Sequence, residues 1–227
     1  MSATEVRSSE AAGLQRTASV RLAALGGAVF FALTIINANL RSGSPSATDP
    51  GDEIIDYVAS HDGQVQAAAV LMGLAMPAAL LWLSGLFRTL RKAEGGTPGI
   101  AALAALEGGV LAAASTVTGA LVAGTMANRI DVLGPADARV WWTMYLLSTG
   151  ATLLGLLLLI GATAAVCLRT RLFARWFSVA SVVLALALLA ARSLVMGRKK
   201  WLDYARIWAA PATGLAIVFV ASAIWND

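Results

Sequence analysis

The sequence predicts an all-α fold: a polytopic transmembrane helix bundle of about six helices. Both the N- and C-termini are expected to be cytoplasmic, with a short surface helix in the first outer loop. Three observations lead to this reading. Hydrophobic residues make up 58% of the 227 positions and charged residues only 13%, about half the ~25% charge of a soluble domain. The mean hydropathy is +0.73, which suits a chain whose surroundings are themselves apolar. The apolar residues also fall into long runs without strand-like alternation, and Lys and Arg cluster at the ends of those runs.

Residues 1–20 are small and polar and read as a disordered cytoplasmic tail; residues 21–227 read as a single transmembrane helical domain. The first span covers about 22–40 and follows Arg16 and Arg21. Ile36-Asn37-Ala38 near its end resembles a small-residue cleavage site, the mark of a signal peptide. The apolar spans that follow favour a retained helix. Asn37 and Asn39 suit an interfacial position.

Between the first two spans, Asp49-Pro50-Gly51-Asp52-Glu53 has a helix-start pattern: Asp as N-cap, Pro at the first position and acids in the first turn. Ile54, Ile55 and Val58 then give this short helix one apolar face. The second span, about 65–87, contains Pro77 and closes on Arg88, Arg91 and Lys92; the proline removes one backbone donor and is expected to kink the helix. Gly95-Gly96-Thr97-Pro98-Gly99 is a turn. The third span, about 100–126, is rich in Ala and Gly. A polar loop carrying Gly134-Pro135 separates it from the fourth, about 140–168. The fifth covers about 172–195 and the sixth about 207–225. Trp141, Trp142, Trp176, Trp201, Trp208 and Trp225 fall near span ends, as an aromatic belt requires.

Orientation follows from Lys and Arg. With the N-terminus inside, cytoplasmic segments hold Arg7, Arg16, Arg21, Arg88, Arg91, Lys92, Arg169, Arg171 and Arg175, while the first two outer loops hold only Arg41, Arg129 and Arg139. This follows the positive-inside rule. The last outer loop breaks it, with Arg198, Lys199, Lys200 and Arg206. The acidic set Asp49, Asp52, Glu53, Asp56 and Asp62 lies on the same outer face, so the two segments are expected to attract each other and cap the bundle.

Four residues stand out as binding candidates. Glu107 is a carboxylate one to two turns inside the third span, where an acid usually faces a cavity or a partner. Trp82 lies inside the second span near Pro77, placed to line a cavity. His61 and Asp62 adjoin each other in the acidic loop; with Asp56 they offer at most weak cation binding. A single histidine and a single cysteine, Cys167 in an apolar run, exclude a multi-histidine or multi-cysteine metal site and an internal disulfide. The sequence holds no H-E-x-x-H, P-loop or G-x-S-x-G and implies no cofactor or catalytic residue. The net charge of +4 sits in short clusters rather than on a continuous basic face. It therefore points to anionic lipid headgroups of the bilayer and away from nucleic acid.

Three segments carry a family resemblance. They are Tyr57-Val58-Ala59-Ser60-His61 at the end of the acidic segment, Leu83-Ser84-Gly85-Leu86-Phe87-Arg88-Thr89-Leu90-Arg91 at the second span's end, and Arg169-Thr170-Arg171-Leu172-Phe173-Ala174-Arg175-Trp176. With them the chain resembles a broad group of small multi-pass integral membrane proteins, of unknown function, from GC-rich Gram-positive bacteria. In that group Leu-Pro stands where Phe173-Ala174 stands here. The resemblance implies the bundle architecture and a bacterial cell membrane, and no activity. Two function classes lead, ahead of a membrane enzyme acting on lipid through Glu107 or the His61/Asp62 pair. One is a non-enzymatic accessory, scaffold or binding subunit, working as a homo-oligomer or within a larger complex. The other is a small transporter or permease with a cavity near Glu107, working as a dimer.

Overall fold

The computed structural model describes residues 3–41, 43–96 and 99–170, with side chains from Arg21 onward except Ala38. The described residues are all-helical, in the order α1 (Ala3–Leu40), α2 (Gly51–Ser60), α3 (Asp62–Ala93), α4 (Ile100–Asn128), a single 3-10 turn (Ile130–Val132) and α5 (Pro135–Thr170). The expected fifth and sixth spans, the basic loop 198–206 and the segment after Thr170 lie outside the described residues.

Three helices, α3, α4 and α5, are long and apolar enough to cross a membrane. With 32, 29 and 36 residues they exceed the roughly 20 residues that a bilayer core requires. This is the signature of a membrane-embedded protein. In α1 the apolar stretch is shorter, Arg21–Asn37. Its helix begins at Ala3, well before the apolar stretch, so the backbone of the segment read as a disordered tail is helical. Glu5, Glu10, Ala11, Ala12 and Leu14 are strong helix formers, which accounts for the early start. Pro77 is exposed within α3, and the helix continues through it.

The long helices pack in the sequence α1 on α3, α3 on α4 and α4 on α5. Side-chain size decides which faces meet. A Cβ on Gly108 would lie 2.6 Å from the Leu159 nitrogen and 2.7 Å from the Gly155 carbonyl oxygen. One on Gly155 would lie 2.5 Å from the Ala112 nitrogen. The α4 and α5 backbones therefore touch directly, with Ala102, Ala105 and Ala112 on the same buried side of α4. Such close approach maximises dispersion contact where the hydrophobic effect between helices is weak. Halfway along, the Thr116 and Thr152 hydroxyls share a 3.2 Å hydrogen bond between the two helices. α1 meets α3 in the same way, through Gly26 against the Ala78 carbonyl and Gly27 against the Trp82 ring.

The two ends of the bundle are finished differently. At the α3–α4 end, Gly95 and Gly96 take φ of +91°, a left-handed conformation that glycine enters at little cost. Glu94 Oε2 there accepts from the Gly99 and Ala102 amides at 3.1 and 3.2 Å. A carboxylate from the turn thus caps the start of α4. At the other end α2 lies across the start of α5. Ile54 and Val58 are 1% and 0% exposed, packed with Val65, Met126, Ala138 and Trp142. Each such burial stabilises by about 1.5–3 kcal/mol. Asp49 does not cap α2 as expected. The helix starts at Gly51 after Pro50, and the Asp49 carboxylate instead accepts from the Ser46 amide and hydroxyl at 2.8 and 2.9 Å. Those bonds close a turn one step earlier, because Pro50 supplies the extended backbone that launches the helix.

Candidate functional site

The α2 end gathers most of the described polar and aromatic chemistry. A continuous line of rings starts on α2 and finishes on α5. His61 stacks on Tyr57 with centroids 4.7 Å apart. Tyr57 meets the edge of Trp142 at 6.1 Å, and Trp142 meets Tyr145 at 5.1 Å. The Arg41 guanidinium lies 4.5 Å above the Tyr145 ring, a cation–π contact of about 0.5–2 kcal/mol according to its desolvation. Helical spacing explains the pairs, four residues for Tyr57/His61 and three for Trp142/Tyr145. The buried Trp142 also fixes the crossing loop, since its Nε1 donates to the Pro45 carbonyl at 3.1 Å.

Arg41, at the end of this line, and Asn37 carry two polar atoms whose needs are complementary. Asn37 Oδ1, an acceptor, and Arg41 Nε, a donor, are both buried without a hydrogen-bond partner among the described residues. They are four apart, so one helix turn brings them to the same side. A buried polar atom without a partner costs about 1–3 kcal/mol. One hydroxyl could satisfy both at once, accepting from Arg41 and donating to Asn37, and a phosphate oxygen could satisfy Arg41.

His61 and Asp62 belong to this end. His61 Nδ1 lies 3.0 Å from the Tyr57 carbonyl and 2.9 Å from the Ser60 hydroxyl, so a proton on Nδ1 suits the carbonyl. Asp62 is exposed, and its carboxylate accepts from the Gly63 amide at the start of α3. Around them Asp52, Glu53 and Asp56 occupy the exposed face of α2. Among the described residues no group of three His, Cys, Asp or Glu could hold a metal ion.

Glu107 and Trp82 lie elsewhere, and apart from each other. Gly109 faces Leu83 of α3. Glu107, two residues earlier, is rotated by about 200° and is exposed among Leu103, Val110 and Leu111. Trp82 turns toward α1, half-buried, with its ring edge-on to Phe31 at 5.7 Å. Cys167 is buried in α5. The sequence reading missed Arg41, Tyr57 and Tyr145 as site residues. The i,i+4 and i,i+3 ring spacings were visible, but the contact between Arg41 and α5 carries no local signal. Compared with protein families, curated proteins and solved structures, the chain gives no match.

Proposed function

We propose that this chain is a non-enzymatic accessory or binding subunit of the bacterial cell membrane. In this reading it is multi-pass, with about six spans, and has both termini in the cytoplasm. It recognises its ligand or partner at the outer, α2 end. The observation that carries the reading is the unsatisfied pair Asn37 Oδ1 and Arg41 Nε, with the Arg41 guanidinium over the Tyr145 ring. A polar site held by packed aromatics on rigid helix ends is built to bind. An unpaired acceptor one turn from an unpaired donor, the donor lying over the Tyr145 ring, suits a polar or zwitterionic group rather than a plain anion.

The test compares wild-type protein with Arg41→Met, both extracted from native membranes in mild detergent, by mass spectrometry of co-purifying lipids and proteins. A component lost at least several-fold in Arg41→Met, with helicity unchanged, supports the reading. Identical partners in both preparations would contradict it. A small permease is the second reading, favoured by the open α4–α5 groove next to the Glu107 face. It requires substrate flux in vesicles that Glu107→Gln abolishes and Arg41→Met leaves intact.

A further inference from the structure

The apolar stretch of α1 runs from Arg21 to Asn37, so Asn37 and Arg41 stand where apolar helix surface gives way to the polar loop. Ile35 and Ile36, in the turn before the pair, are 44% and 48% exposed. The Arg41 amide donates to the Asn37 carbonyl at 3.2 Å. The helical turn therefore closes at Arg41 and keeps both residues on one side. Both are half-buried, which places the pair just beneath the surface. An apolar stretch ending in a polar pair, with Trp142 and Tyr145 at the same end of the bundle, is the arrangement found at the level of lipid headgroups.

The two atoms state what a ligand must offer. Arg41 Nε needs an acceptor and Asn37 Oδ1 needs a donor, and they do not bond each other. A guanidinium is shaped for a phosphate oxygen. Asp49, the acid of the same loop, is bonded to Ser46, and the Arg41 cation rests on the Tyr145 ring. An amide oxygen only accepts, so a second phosphate oxygen cannot serve Asn37, whereas an amine or a hydroxyl can. Four residues of helix separate the pair by a rise of about 6 Å. A phosphate and a donor joined by a two-carbon link span that gap.

We propose that the Asn37/Arg41 pair binds a phospholipid headgroup, with the phosphate on Arg41 and an amine or hydroxyl beyond it on Asn37. The acyl chains lie along Ile35 and Ile36. The proposal rests on the reading of this end as a binding site and adds what binds there. Its competitor is a bridging water, which both donates and accepts.

Ethanolamine and choline headgroups carry the same charges, and only the first can donate a hydrogen bond. The full chain in mild detergent is mixed with equal amounts of dioleoyl phosphatidylethanolamine and dioleoyl phosphatidylcholine, and bound lipid is counted by native mass spectrometry. Wild-type protein should retain the ethanolamine lipid several-fold over the choline lipid. Asn37→Leu should bring that ratio close to one, and Arg41→Met should lower retention of both lipids several-fold. If Asn37→Leu loses helicity, Asn37→Ala serves.

Equal retention of the two lipids by wild-type protein would overturn the donor on Asn37. Retention that neither substitution changes would overturn the proposal in favour of water. Free phosphoethanolamine displacing the lipid as completely as excess lipid does would overturn the membrane source. A protein or a sugar, rather than a phospholipid, lost on Arg41→Met would overturn the headgroup assignment and leave the binding-subunit reading standing.

Discussion

Replacing Gly51 by alanine isolates the contact that seats α2 on the bundle. A Cβ at this position would run into the carbonyl oxygen of Pro135, and would lie 2.6 Å from its carbonyl carbon and 2.8 Å from its Cα. All three atoms are backbone at the start of α5, so no side chain can swing aside. Overpacking of this kind costs about 1–3 kcal/mol. Against it stands the gain in helix propensity, at most about 1 kcal/mol for Gly→Ala, and less at a first helical position. The clash should win, leaving a net loss of about 1–2 kcal/mol, concentrated on α2. Gly63→Ala is the matched control: Gly63 is exposed at the second position of α3, and an added Cβ meets nothing. There the propensity term acts alone and stability should hold or rise slightly. Hydrogen exchange of the 51–60 amides, with thermal unfolding in detergent, reads both effects. The reasoning is refuted if the two substitutions shift exchange and stability in the same direction and to the same extent.

Three other outcomes are expected. Gly155→Leu should separate α4 from α5, because even its Cβ would strike the Ala112 backbone at 2.5 Å; Gly73→Leu, where nothing lies within 4 Å, should be tolerated, as a comparison of expression and monodispersity in detergent would reveal. Trp142→Phe removes the hydrogen bond to the Pro45 carbonyl and should lower stability by about 0.5–1.5 kcal/mol, with faster amide exchange in residues 43–49. Glu94→Ala strips two α4 amides of their acceptor and should cost about 0.5–2 kcal/mol, whereas Glu94→Gln, keeping a carbonyl oxygen, should lose less; exchange at Gly99 and Ala102 distinguishes them.

Hydropathy located three of the expected spans as long apolar helices, because the length and apolarity of a run are written in the sequence. The expected spans 65–87, 100–126 and 140–168 each lie within a single helix. The same property could not show which way each helix faces. In the first half of α4 the buried positions are Ala102, Ala105, Gly108, Gly109 and Ala112, while Leu103 and Leu111 are exposed, the reverse of a soluble helix. Packing here selects for small size, and a helix apolar on every side has no polar stripe to orient it. That is why the outward position of Glu107 and the separation of Trp82 from it could not be read from sequence. α2 was legible because its acids and its Ile54/Val58 face follow water-facing rules. Its start was misplaced by one residue because Asp49 had a second use, in the Ser46 turn. The meeting of Arg41 with Tyr145 depends on a loop crossing the end of the bundle, which no local pattern encodes.

Sidedness is the most direct test of the account, since recognition at α2 requires that end to lie outside the cell. Asp56→Cys on the exposed face of α2 and Gly96→Cys in the opposite turn are introduced singly into Cys167→Ala. Intact cells are then treated with a membrane-impermeant maleimide. The account expects Asp56→Cys to label at once and Gly96→Cys only after the cells are permeabilised. Labelling of both from the same side, or of Gly96→Cys alone in intact cells, would contradict it.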